Sequence, residues 1–424
     1  MVLARLNEEI DSASLRAFRA GFGALMAIAI LRFFAHGWIQ ADYEAPKHFF
    51  HYWGFGWVRP LPLPLMYAVY AVAAVAGGFV ALGRWQRPAA ATFGVLFTYA
   101  HLIDKSNYLN HYWLITLLAL LLAIVPLDRR GPARRWMLYL FRLQIGVVYF
   151  FGGVGKLGRD WLFEGEPLRI WLAANAELPL LGRFFHSHAT ALAFSWAGCI
   201  FDLFIVPLLS WRRTRAPAYV VLIGFHVTTS LLFHIGMFPW IMMMSATVFF
   251  DPSWPRRWAK RLFEDDALPA PMLGRPALAL LGAYALFQVL MPMRSALYPG
   301  NTLWTEEGFR FSWRLMLIEK SGALEYTVVD PAGGRAIVYP REYLTPFQTR
   351  MVSTQPDMIL ELAHIIAAER GGAGPVRVFA DSEVSFNGRF RARMIDPTVD
   401  LAAESDTLLP KRWILPAPTT KPVF

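Results

Sequence analysis

Apolar runs long enough to leave water constrain this chain more than any other feature. Nine stand out, at about 18–38, 64–83, 88–103, 109–127, 137–156, 190–210, 217–234, 237–250 and 275–292. Crossing the hydrocarbon of a bilayer takes about 20 apolar residues, within a usable range of about 17–25. The third and eighth runs are short and read as tilted or re-entrant half-helices, so the expectation is eight or nine membrane segments. The first run is too long for a cleaved signal peptide, contains Arg32 and lacks a small-residue cleavage site, so it reads as a retained span. Composition agrees: hydrophobic residues make up 56% of the chain and charged ones 17%, against about 25% charged in a typical soluble domain. A disordered chain, a disulfide scaffold and an ordinary soluble enzyme are excluded. The single cysteine, Cys199, cannot close an internal disulfide.

The net charge of +10 could suggest nucleic acid, but its location argues otherwise. The first 294 residues hold 27 Lys+Arg against 16 Asp+Glu, and the remainder holds 14 against 15. The basic excess therefore sits among the apolar runs, in short loops that set orientation in a membrane. The partner it implies is the lipid bilayer, with no nucleic acid. Loops 84–87, 128–135, 211–215 and 255–261, which include Arg129 and Arg130, carry 13 basic residues; the opposite set at 39–63, 104–108, 156–189 and 235–236 carries seven. This puts the N-terminus in the cytoplasm and the chain after about residue 293 outside it. The expected architecture is a polytopic α-helical transmembrane domain over 1–293 and a C-terminal α+β extracytoplasmic domain over 294–424.

Within the C-terminal part, Phe309, Phe311, Trp313, Leu315 and Leu317 alternate with Arg310, Ser312, Arg314 and Met316, the period of a half-buried strand. Leu324–Val329 and Ala336–Tyr339 flank a turn at 330–335 and read as a hairpin. Asp357–Arg370 reads as an amphipathic helix stopped by Gly371-Gly372. Val376–Phe386 and Arg389–Ile395 flank Asn387-Gly388, a strong short hairpin signal.

An ionisable group at membrane depth costs at least about 2.5–3.5 kcal/mol, so each needs a reason. Arg32, Arg142 and Asp202 are the deep ones, and an Arg142–Asp202 pair is the simplest structural reading. The outer ends of the helices gather His101, Asp104, Lys105, His111, Tyr112, Trp113, Lys156, Arg159, Trp161 and His234. His226, Ser230 and His234 recur every four residues and would share one helix face. Such a layer is either an interfacial belt or an active site. Lys156 ends an apolar helix after Tyr149-Phe-Phe-Gly-Gly-Val-Gly155. It is either a snorkelling interfacial lysine or an amine desolvated by Phe150, Phe151 and neighbouring helices, able to act as a base. Gly152, Gly153 and Gly155 permit either close helix packing or room for a flat ligand. No metal-binding, phosphate-binding or nucleophile-elbow motif is present, so chemistry here would use an organic cofactor arriving from the bilayer, or none.

Several strings run in one order over nearly the whole chain. They include Leu102-Ile-Asp-Lys-Ser106, Asn110-His-Tyr-Trp113, Tyr149-Phe-Phe-Gly-Gly-Val-Gly-Lys-Leu157 with Asp160-Trp161, Phe225-His226 with Ile235-Gly-Met-Phe238, and Ser253-Trp-Pro-Arg256. Beyond the last apolar run come Trp304-Thr-Glu-Glu-Gly308, Phe311-Ser-Trp313, Gln355-Pro-Asp-Met358, Ser385-Phe-Asn-Gly-Arg-Phe390, Asp396-Pro-Thr-Val-Asp-Leu401 and Trp413-Ile-Leu-Pro416. In these the chain resembles the vitamin K-dependent γ-glutamyl carboxylases and their bacterial HTTM relatives. The resemblance implies an enzyme of a bacterial inner membrane, drawing on the quinone pool. There a reduced naphthoquinone (reduced vitamin K) is oxygenated to its epoxide by O2, and this drives capture of CO2 by a peptide glutamate, with no metal. It places the base at Lys156 and a second catalytic role at His111. With the outer-layer placement, it puts Tyr108, Phe151, Trp161, His226 and His234 at the cofactor, and Trp304 and Arg159 at the glutamate-containing peptide. Two other readings stay open: a quinol epoxidase or oxidoreductase without carboxylation, and a non-enzymatic lipid- or quinone-binding protein.

Overall fold

The computed structural model describes residues 2–127, 131–179, 181–233, 235–264 and 267–423. Arg129, Arg130 and His234 lie outside the described residues. In chain order the main helices of the N-terminal part are α1 (Ala13–Ala35), α2 (Leu63–Leu82), α3 (Gln86–Leu102), α4 (Asn110–Ile124), α5 (Arg135–Gly155), α6 (His188–Ser210), α7 (Arg215–Leu232), α8 (Phe238–Ser245) and α9 (Arg275–Met293). Each of the nine apolar runs is thus helical. Six of the described helices, α1, α2, α5, α6, α7 and α9, are long and apolar enough to cross a membrane. The short third and eighth runs give α3 and the eight-residue α8, which a 3-10 turn over Ala246–Phe249 extends. The fourth run looks long enough to span, yet α4 has only 15 residues. Pro126 follows its end, and a proline disfavours helical backbone in the residue before it.

The helices differ in what surrounds them. α5 has 67% of its apolar window buried inside the protein, whereas α9 has 11%. The first is the hub of the bundle and the second turns its side chains outward to lipid. α2 shows why the ends fall where they do: Pro62 precedes it, a proline opens it within the first turn, and Gly83 ends it at φ 71°, the left-handed conformation that glycine takes without steric cost.

The deep charges are not paired with each other. Arg142 donates from Nε to the Val248 carbonyl at 2.8 Å and from Nη2 to those of Phe249 and Phe250 at 3.3 and 3.2 Å. Those are the carbonyls left open where the 3-10 turn after α8 ends. The stagger of α6 on α5 takes Asp202 out of reach. A Cβ on Gly146 would touch Val206, and one on Gly152 would touch Asp202. Asp202 is therefore level with Gly152, ten residues beyond Arg142, or roughly 15 Å along the axis.

The C-terminal region is an antiparallel four-stranded sheet with helices. The strands are β1 (Lys320–Val329), β2 (Arg335–Val338), β3 (Arg377–Phe386) and β4 (Ala392–Arg393), in the spatial order β2-β1-β3-β4. Between β2 and β3 lie α10 (Pro346–Val352) and α11 (Pro356–Arg370). α11 sets Ile359, Leu362 and Ile366 into the core with Trp304, Tyr326 and Phe386. The 330–335 hairpin is present, with Val329 opposite Arg335. The Asn387-Gly388 turn is also present, with φ 45° and 75°, but its return strand is cut to two residues. Asn387 Nδ2 and Arg389 instead turn back to Asp160, at 3.1 and 2.5 Å.

Residues 309–317 do not form the expected strand. Phe311, Trp313 and Met316 have φ of 62°, 57° and 54°, and a strand cannot contain such turns. The alternation misleads because the segment is wedged between the helices and the sheet. Trp313 enters the bundle core, Leu317 joins Trp161 and Cys199, and Phe311 packs edge-on against Tyr108 and Trp113. Apolar side chains here are buried on several sides rather than on one face.

Candidate functional site

Lys156 caps the C-terminal end of α5 and is 5% exposed. Its Nζ lies 2.7 Å from Asp202 Oδ2 and donates to the Gly152 carbonyl at 3.2 Å. The same nitrogen is 5.2 Å from the ring centroid of Trp161, a favourable position over an aromatic face. A single π turn, Asp160–Glu164, places that indole, and its Nε1 donates to the Ser195 carbonyl at 2.7 Å. The glycines act by close packing. A Cβ on Gly153 would lie 2.9 Å from the backbone nitrogen of Leu203, and one on Gly152 would lie 3.3 Å from Asp202 Oδ2. Their absent side chains let α6 approach α5 closely enough for the ion pair. Phe150 does not enclose the lysine, being 52% exposed on the lipid side; Trp161 and α6 do that instead.

Beside the pair lies a cavity of about 840 Å³. Its charged and imidazole groups are Lys156, Asp202, His111, His226 and Arg32, and its flat walls include Trp38, Trp161, Phe194, Phe225, Phe233 and Phe238. The C-terminal region contributes Leu315 and Met316. His226 Nε2 is 2.8 Å from the Tyr149 hydroxyl, while its Nδ1 is buried without a hydrogen-bond partner among the described residues. His111 opens α4, with its ring 5.9 Å from that of Phe238. A volume within about 300–1,000 Å³, mostly apolar walls and a few convergent polar groups are the marks of a small-molecule site. The aromatic walls and the unpartnered Nδ1 fit a flat bicyclic ring that carries oxygens.

Of the residues singled out in the sequence, Lys156, His111, Trp161 and His226 line this cavity together. The others do not. Tyr108 accepts from the Phe311 amide at 2.7 Å and donates to Asn110 Oδ1 at 3.0 Å, which makes it a link to the C-terminal region. Phe151 belongs to the bundle core. Trp304 is fully buried in the C-terminal core and donates to the Leu415 carbonyl at 2.8 Å. The Arg159 side chain is 72% exposed and 3.5 Å from Glu164. Ser230 is exposed although His226 is buried, and α7 ends at Leu232; the third member of that expected face, His234, lies outside the described residues. Sequence reasoning missed Asp202 as the partner of Lys156, Tyr149 as the partner of His226, and Leu315 and Met316 as walls. Only Asp202 carried a signal, as a lone acid in an apolar run.

Asp104 and Lys105 serve a second cluster, which joins the C-terminal region to the bundle. Lys105 Nζ is 3.0 Å from both Asp357 Oδ2 and Glu361 Oε2, and Arg310 Nη1 is 2.7 Å from Asp357 Oδ2. His51 Nδ1 is 2.8 Å from Glu361 Oε1, and Gln348 Nε2 donates to Asp104 Oδ2 at 2.8 Å. Burial alone would push the Asp357 carboxyl up, but Arg310 and Lys105 outweigh it and hold the group well below the usual carboxylate range. Burial likewise works against the Lys105 ammonium, and Asp357 with Glu361 overcomes it and raises the group above its ordinary value.

Comparison with known proteins agrees with this layout. Residues 7–254 match the HTTM domain, and residues 274–420 match the vitamin K-dependent gamma-carboxylase lumenal domain. No solved structure matches the chain.

Proposed function

The chain belongs to the gamma-carboxylase family, and from that premise we propose that it fixes CO2 onto glutamyl side chains of a peptide or protein at the expense of a reduced naphthoquinone. The observation that carries this reading is the buried Lys156–Asp202 pair in the wall of an aromatic cavity. When bound, the reduced naphthoquinone supplies, with O2, a base strong enough to take a glutamyl γ-proton. The chain's residues prepare that event. Asp202 Oδ2, at 2.7 Å from Nζ, can hold the proton of the ammonium, which leaves Lys156 as a neutral amine ready to accept one. Passing it within the pair turns two buried ions into two neutral groups, so a dry site does not oppose the transfer. Trp161, Phe225 and Phe238 exclude water, which would otherwise quench a strong base and a carbanion. Tyr149 fixes the ring of His226, leaving Nδ1 for a ligand oxygen. His111 is assigned the second catalytic role from the same wall. In this proposal the C-terminal region lies outside the cytoplasm of a bacterial cell, and the cavity opens at the outer side of the inner membrane.

The test is incubation of purified protein with labelled bicarbonate, reduced vitamin K, O2 and a glutamate-containing peptide. Label should enter the peptide only with both quinol and O2 present, and Lys156→Ala should abolish it. Full incorporation by Lys156→Ala would remove the base assignment. Quinol and O2 consumption without label would favour an epoxidase without carboxylation.

A further inference from the structure

Of the three deep charges, two are satisfied by protein: Asp202 by Lys156, and Arg142 by three carbonyls. Arg32 is not. It lines the cavity, and its guanidinium carbon sits 5.4 Å from the ring centroid of Trp38. No described carboxylate lies within ion-pair distance of it, and Asp42, the nearest acidic residue along the chain, is not paired with it. Its height matches that of Lys156. A two-residue ladder joins Glu9–Ile10 to Ala133–Arg134 immediately before α1 and α5, so both helices start at the same end and run the same way. Arg32 and Lys156 come 19 and 21 residues after Ala13 and Arg135, roughly 30 Å along in each case. The Lys156 and Asp202 charges cancel, so among the described lining residues Arg32 is left as one uncompensated positive charge.

We infer that Arg32 is the residue that binds the substrate's glutamyl carboxylate. This inference rests on the carboxylase reading of the cavity. A naphthoquinol ring is neutral and is accommodated by the aromatic walls. A glutamyl side chain brings the single negative charge that the cavity lacks, on two coplanar oxygens that match a guanidinium fork. The chemistry asks for the same partner. The proton to be removed sits on the carbon next to that carboxylate. When the C–H bond breaks, the electron pair stays on carbon and spreads toward the carboxylate, adding a second negative charge to the group. A guanidinium bound through both oxygens neutralises the first charge and stabilises the second as it develops.

The test measures binding without quinol, in nonionic detergent so that lipid phosphate cannot compete. Equilibrium dialysis compares two acetylated, amidated tripeptides, Ala-Glu-Ala and Ala-Gln-Ala. The wild type should hold the Glu form at least about 10-fold tighter, Arg32→Gln should reduce the difference below about 2-fold, and Arg32→Lys, which keeps the charge without the fork, should fall between. Thermal unfolding of each variant checks the fold, and Arg32→Lys decides the matter if Arg32→Gln does not fold. Equal binding of the two peptides by the wild type, or undiminished discrimination in a folded variant, overturns the assignment. A wild type that discriminates but fixes no CO2 leaves the carboxylate site standing and removes the carboxylase reading instead.

Discussion

At the scale of single residues, Lys156 and Asp202 each make the other tolerable. Removing one partner of a buried pair costs about 3–5 kcal/mol, because the remaining charge has nowhere to go, whereas replacing both by apolar groups of similar volume is often neutral. Asp202→Asn is therefore expected to cost about 3–5 kcal/mol of stability, read as a lower thermal midpoint in detergent, and to cut CO2 fixation at least about 100-fold, in the range of a lost acid–base group. The double variant Lys156→Met/Asp202→Leu should regain most of the midpoint and none of the turnover. Thermal unfolding and label incorporation on the same preparations separate the two effects. Lys156 was legible in the sequence because a charge at the end of an apolar helix stands out without any structure. Its partner was not. Choosing between Arg142 and Lys156 for Asp202 depends on the stagger of α6 along α5, and a single sequence holds no record of that offset.

Helices and segments set where those residues stand. The contact of α5 with α6 is fixed at Gly153, where an added Cβ meets Leu203 through its side chain at 2.7 Å and its backbone nitrogen at 2.9 Å. The backbone cannot turn aside as a flexible side chain could. Gly153→Ala should cost about 1–3 kcal/mol, the usual range for overpacking, and should reduce turnover by displacing Asp202, the neighbour of Leu203. Gly78→Ala in α2 is the control. An added Cβ there meets nothing within 4 Å, and Ala in a helix interior is favoured over Gly by roughly 0.5–1 kcal/mol. If both variants melt and turn over alike, the close approach at Gly153 has no functional weight. Long apolar runs reported α1 to α9, because lipid and core both reward continuous hydrophobicity. Residues 309–317 were misread for a related reason: alternation indicates a strand only when one side of the segment faces water, and this segment has protein on several sides.

Across the whole molecule, the cluster around Lys105 holds the C-terminal region against the bundle, and its pH window follows from the shifts. Asp357 is held below its unfolded value, so its contribution is complete above about pH 4 and fades as pH falls through the folded value. Lys105 is raised, so its contribution is complete below about pH 10 and is lost as pH climbs through the folded value. Docking should therefore be insensitive to pH between those limits and loosen outside them, as measured by protease cleavage between α9 and β1. Lys105→Met should produce the same looseness at neutral pH, with faster amide exchange in α11; unchanged exchange would mean that apolar contacts alone hold the region. Leu315 and Met316 come from beyond α9 yet finish the wall beside Lys156. During biosynthesis, a chain whose helices have all been inserted still has a gap in the wall of its cavity until the part beyond α9 emerges and folds down. In the proposed reaction, a half-made copy therefore lacks the closed, dry cavity that the chemistry needs.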